Sequence, residues 1–149
     1  MTYNNGALEL PANRSCAFCK YLSGQRPYTT AGSNEQIAVL VTREQRGLPH
    51  LLVVPIHHRE TILDLDDEEA TALMIGVRQV ALAINESYRR PGIAIWQNNG
   101  ISANQTINHV HFHVAGTLDE GGTKWGDVEE LSLDTTDEIA RKIEPHLKL

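Results

Sequence analysis

The chain has 149 residues, 41% of them hydrophobic, and a formal net charge of −6. That length and apolar share suit one domain, residues 1–149, able to bury a core without disulfide staples. The acidic balance gives no electrostatic footprint for a nucleic-acid polymer, and neither a signal peptide nor a membrane span is legible, so the reading is a soluble, cytoplasmic protein.

Residues 1–15 are polar and read as a flexible N-terminal arm that ends at Cys16-Ala-Phe-Cys19. Gly24, Pro27 and Gly32 then mark turns, and little regular structure is expected before residue 37. Ile37 to Thr42 and Leu48 to Pro55 are short apolar, β-branched runs separated by the polar Arg43 to Gly47, and they read as two paired strands. Pro55 ends the second, because proline cannot donate into a central ladder.

Asp66 to Arg90 places Ala70, Leu73, Met74, Val77, Val80, Ala81, Ile84 and Tyr88 at three- and four-residue steps, which predicts an amphipathic helix. Asp66 and Glu69 form a capping pattern, and Arg89-Arg90 before Pro91-Gly92 suits the helix end. Ile93 to Gln97 predicts a third strand. A polar loop, Asn98 to Ile107, turns the chain back as a long hairpin. Thr135 to Glu144 predicts a short C-terminal helix capped by Thr135 and Glu138 and limited by Pro145. The order is that of an α+β domain, a mainly antiparallel sheet packed on a long helix.

The returning strand reads Asn108-His-Val-His-Phe-His-Val-Ala-Gly116. At strand periodicity His109, His111 and His113 share one face, while Val110, Phe112 and Val114 face a core. A neutral imidazole in such a row is a good nucleophile toward phosphorus, since one nitrogen attacks while the other donates to a fixed acceptor. His111, in the middle, is the candidate. The loop Asn98 to Thr106, rich in amide, hydroxyl and small side chains, can wrap a phosphate with neutral donors.

Two cysteines are too few for a disulfide scaffold, and Cys16-x-x-Cys19 has the spacing of a zinc half-site. His58 or His57, with His109, would complete a Cys2His2 set and tie the arm to the sheet. Redox chemistry fits less well, because the pair does not sit between a strand and a helix start.

Together these residues resemble the histidine triad family, over about Cys16 to Trp125. The resemblance rests on His109-Val-His111-Phe-His113-Val-Ala, on Leu52-Val-Val-Pro55 before His57-His58, on Asn98-Asn-Gly100, and on Gln105-Thr106. It implies a histidine-triad-like fold, with a five-stranded sheet on a long helix. It implies His111 as the nucleophile on a nucleotide α-phosphorus, His113 on the phosphate and bridging atom, and His50 completing the pocket. Asn98, Gln105 and Thr106 would hold the phosphate. Cys16, Cys19, His58 and His109 would ligate a structural zinc. Relatives are commonly homodimers, and Gly121 to Gly126 would then reach the partner's site, where Trp125 stacks on a leaving group or anchors the tail. One position departs: Thr42 stands where many nucleotide-binding relatives hold the ribose with an aspartate, and Glu44 is a possible substitute.

Two functions follow as expectations. The first is a hydrolase of nucleoside 5'-phosphoramidates or dinucleoside polyphosphates acting through a nucleotidyl-histidine. The alternative, motivated by Thr42, is a nucleotide-binding or regulatory protein that turns over little or nothing.

Overall fold

The computed structural model describes residues 8–12 and 15–149; residues 1–7, 13 and 14 of the expected arm lie outside the described residues. Five strands form one antiparallel sheet: β1 (Thr30–Ser33), β2 (Ile37–Val41), β3 (His50–Pro55), β4 (Ile93–Trp96) and β5 (Phe112–Gly116), in the order β1-β2-β3-β5-β4. Helix α1 (Ala17–Leu22) precedes the sheet, α2 (Asp67–Ser87) connects β3 to β4, and α3 (Leu133–Ile143) follows β5. This is the expected α+β architecture. Among the described residues no helix is long and apolar enough to cross a membrane.

Strand parity decides where everything else sits. In β2 and β3, Ile37, Val39, Val41, Leu51 and Val53 join Leu73, Val77, Val80 and Ile84 of α2 and Ile143 of α3 in the larger core. Their neighbours Ala38, Leu40, Leu52 and Val54 point the other way and pack with Phe18 of α1. Each fully buried Val, Leu or Ile contributes about 1.5–3 kcal/mol, so both faces are committed and a one-residue slip would exchange them. His50 shares the parity of Leu52 and Val54, and His113 pairs in register with Leu52. The histidines thereby fall on the face away from α2.

Helix α2 begins as expected, with a complete capping box between Asp66 and Glu69. Its other limits need correction. It stops at Ser87, and Arg89 has φ +49°, so Arg89 and Arg90 lie beyond the helix, where Arg90 binds the Thr117 carbonyl and Asp119. Met74, expected in the apolar stripe, is 56% exposed; the buried line runs through Leu73, Gly76, Val77, Val80 and Ala83, a face of the helix that Met74 does not share.

Residues 15–36 hold more regular structure than their sequence suggests, with α1 and β1 where the sequence predicts only turns. Strand β3 starts at His50 rather than Leu48, because Leu48 and Pro49 instead bond Gly116 across the turn. Helix α3 starts at Leu133, capped by Ser132 accepting from the Thr135 amide. Thr135 is thus inside the first turn and is not the cap.

Candidate active site

The histidine row is a strand only in its second half. β5 begins at Phe112, while the His109 amide donates to the Ile107 carbonyl and the Val110 amide to that of Arg59. With these amides bonded outside the ladder, the three imidazoles, expected on one face, serve two clusters. His109 turns toward the cysteines, and His111 and His113 face the cavity.

His111 is buried, and its Nδ1 lies 2.7 Å from the His109 carbonyl oxygen. A carbonyl can only accept, so Nδ1 carries the proton and Nε2 keeps its lone pair. Burial holds the His111 pKa below the ordinary imidazole value, so the ring is neutral. A neutral imidazole with a free Nε2 is what attack on phosphorus requires.

His50 and His113 form a pair, Nε2 to Nδ1 at 2.9 Å. Burial, reinforced by the neighbouring His111, His50 and Arg46, lowers the His113 pKa to about 2. Burial likewise brings His50 to about 4, opposed by the Glu44 carbonyl 3.1 Å from its Nδ1. The Arg46 amide is 3.2 Å from the same Nδ1, so this nitrogen has an acceptor and a donor to choose between. Gln45 fixes the backbone beneath: its Oε1 accepts from the His50 amide at 2.7 Å and its Nε2 donates to the His50 carbonyl at 2.8 Å.

These rings close one side of a cavity of about 520 Å³, large enough for a small organic ligand. Thr42, Thr106, Phe18 and the stacked Tyr21 and Tyr28 line it further. Thr42 Oγ1 accepts from the Glu44 amide at 3.2 Å and lies beside the Tyr28 hydroxyl. Asn98 and Gln105 stand outside this lining. Gln105 is buried with its amide fully engaged, Oε1 accepting from Gly100 N and Nε2 donating to the Glu60 and Ile107 carbonyls, so in this conformation it braces the loop. Asn98 is half-buried at the end of β4. Trp125 is 83% exposed, on a segment whose neighbours Lys124 and Gly126 are held through their carbonyls by Arg46.

Several groups around the site carry no signal of their role in the sequence; of these, Phe18 and Arg46 line the cavity. Phe18 meets both His109 and His111 edge-on, at ring distances of 5.6 and 5.0 Å. Trp96 stacks on His113, and Arg46 and Gln45 organise the β2–β3 turn. The C-x-x-C motif marked the segment that delivers Phe18; nothing in the sequence marked Trp96, because hairpin register is invisible there.

On the other side of Phe18, one donor atom each from Cys16, Cys19, His58 and His109 lies within 4.8 Å of all the others. The close approaches are 3.3 Å for Cys16 Sγ to His109 Nδ1 and 3.4 Å for Cys19 Sγ to His58 Nδ1. Tetrahedral zinc with ordinary bond lengths sets such atoms roughly 3.5 Å apart. His109 Nε2 donates to the Pro55 carbonyl at 2.8 Å, which leaves Nδ1 as the ligating nitrogen. Burial and the neighbouring Cys16 push the Cys19 thiol up to about 11. The donor set and its spacing fit a zinc ion, and His58, not His57, supplies the fourth ligand atom of the cluster.

Fold and site define an α+β protein carrying clustered, buried imidazoles on the face of an antiparallel sheet opposite its long helix. The chain belongs to the HIT domain family, whose profile matches residues 23–119. It is similar to an uncharacterised HIT-like protein of Methanocaldococcus jannaschii, 31% identical over 80% of this chain and 93% of the relative. It is also similar to an adenosine 5'-monophosphoramidase of Schizosaccharomyces pombe, 32% identical over 67% of this chain and 72% of the relative. Among solved structures, a zinc-bound histidine triad family protein of Mycobacterium smegmatis superposes with a TM-score of 0.77 at 25% identity, covering 89% of this chain and 92% of that one.

Proposed function

We propose that the protein is a cytoplasmic, homodimeric nucleotide hydrolase that acts at the α-phosphorus of nucleoside 5'-phosphoramidates or dinucleoside polyphosphates. The observation that carries this is the tautomer of His111, protonated at Nδ1 by its bond to the His109 carbonyl and so bearing a free Nε2 at the cavity. Similarity to a protein named as an adenosine 5'-monophosphoramidase supports the choice of leaving group.

His111 Nε2 attacks phosphorus, the bond to the leaving nitrogen or oxygen breaks, and that atom takes the bond's electron pair. His113, held by His50, faces the phosphate and bridging atom and passes a proton to the leaving group. Water then resolves the nucleotidyl-histidine. The Thr106 hydroxyl and the Asn98 and Gln105 amides hold the phosphate, with Gln105 exchanging at least one of its loop bonds to do so. Thr42 contacts the sugar, and Trp125 stacks on a leaving group. Cys16, Cys19, His58 and His109 would hold a zinc ion with all four positions filled by protein, where it would supply structural cross-linking rather than reaction chemistry.

The test is release of a nucleoside monophosphate from adenosine 5'-phosphoramidate and diadenosine polyphosphates by wild type and His111→Ala. Loss of at least about a thousandfold is expected in the variant, with AMP binding retained. Because the Thr42 hydroxyl already accepts the Glu44 amide and cannot chelate a diol as a carboxylate does, the second reading is a nucleotide-binding protein. AMP binding with no turnover of any panel member would establish it.

A further inference from the structure

Trp96 ends the edge strand β4 directly opposite His113 in register. Its ring stacks on the His113 imidazole, centroids 4.6 Å apart and planes 5° from parallel, and its centroid is 5.1 Å from that of His50. An indole that lies flat on one member of a hydrogen-bonded imidazole pair and reaches the other belongs to neither of the two core clusters of the sheet.

The protons on this pair define what it needs. Neutral, the two rings hold two protons on four nitrogens, one between the rings. The second sits on His50 Nδ1, donating to the Glu44 carbonyl, or on His113 Nε2, with His50 Nδ1 then accepting from the Arg46 amide. Either arrangement is satisfied, but neither gives up a proton to a leaving group without leaving an imidazolate behind. The acid form therefore carries three protons and one positive charge. The groups facing it are unfriendly to charge: the Arg46 guanidinium from the β2–β3 turn and His111 from the approach to β5. The Glu44 carboxylate is drawn to Arg46 at 3.6 Å, and no carboxylate bonds either ring among the described residues. What remains on the pair is the Glu44 carbonyl and the electron-rich face of Trp96.

We propose that Trp96 is a positioning residue that fixes the plane of His113 and stabilises the positively charged His50–His113 pair from which the leaving group is protonated. This rests on the hydrolase reading above. In the step, the bond from His111 Nε2 to phosphorus forms and the bond from phosphorus to the leaving nitrogen breaks with its electrons on nitrogen. The His113 Nε2 proton moves to that nitrogen, and the pair returns to its neutral form with the remaining protons between the rings and on His50 Nδ1. The extra proton enters from solvent as the negatively charged phosphate binds.

The experiment compares adenosine 5'-phosphoramidate turnover by wild type, Trp96→Leu and Trp96→Phe. A desolvated cation–π contact predicts that kcat falls about thirty-fold in Trp96→Leu, with KM nearly unchanged, while the aromatic Trp96→Phe stays within about threefold of wild type. The alkaline limb of the kcat profile should move about one and a half pH units lower in Trp96→Leu. An unchanged kcat, a loss that appears only in KM, or equal damage in both variants would overturn the assignment. If no substrate is turned over even by wild type, the hydrolase reading falls separately. The free protein still decides the stacking: the His113 ring protons should resonate upfield under the indole and move downfield in Trp96→Leu, and unchanged resonances would refute it.

Discussion

Acidification should destabilise this fold through His50, and the size of the effect can be worked out. His50 is 2% exposed, and burial lowers its pKa from 6.5 to about 4. Below pH 6.5 the unfolded chain takes up a proton that the folded chain refuses, so stability falls as pH falls, through the window between 6.5 and about 4. Between pH 7 and pH 5 this one residue accounts for a loss of about 2 kcal/mol, or roughly 4–8 °C in Tm for a chain of this size. Urea unfolding at both pH values, on wild type and on His50→Gln, isolates the term from the other histidines and from any bound metal. The variant should lose about 2 kcal/mol less than wild type on acidification. Equal losses in the two proteins would show that His50 is not held neutral by burial, and the electrostatic account of the His50–His113 pair would fail with it.

Metal analysis of protein purified without chelators should give about one zinc per chain, and Cys19→Ser should lose most of it; metal-free wild type with two freely reacting thiols would refute the assignment. Gly76→Ala should be destabilising although alanine is the better helix former by about 1 kcal/mol. A Cβ at residue 76 would overlap Ile37 Cδ1 and come within 3.2 Å of Val53 Cγ1, and overpacking typically costs about 1–3 kcal/mol. A net loss of about 1 kcal/mol by urea unfolding is expected, whereas a gain would mean that α2 rides higher on the sheet.

Elements are legible in the sequence where a segment's own pattern decides its structure. α2 carries several turns of apolar stripe and a capping box in Asp66 and Glu69, and β2 and β3 are continuous β-branched runs that bury both faces. Elements are not legible where tertiary contacts decide. β1 is Thr-Ala-Gly-Ser, with no apolar pattern to read, and pairs because β2 offers an edge and Leu147 and Leu149 pack beside Gly32. α1 is a helix of 6 residues, too short to persist alone, and it is placed by Phe18 and the cysteines.

The candidate site divided along the same line. Cys16-x-x-Cys19 and the alternating histidines are local patterns, and both were legible. That His109 would leave the row for the cysteines was legible only as a ligand count. The bonds from the His109 and Val110 amides to the Ile107 and Arg59 carbonyls, which keep this half of the row out of the ladder, are recorded by no spacing. The Trp96–His113 stack depends on hairpin register, and the engagement of Gln105 with three backbone groups depends on how the loop closes.

The most direct test of the central claim is mass spectrometry of acid-free, rapidly quenched reaction mixtures with adenosine 5'-phosphoramidate, mapping any adduct to a peptide. A nucleoside monophosphate carried on His111, formed and lost at the rate of turnover and missing from His111→Ala, is the predicted result. Turnover with no adduct, or an adduct on His113 or His50 instead, would contradict the assignment of His111 as nucleophile.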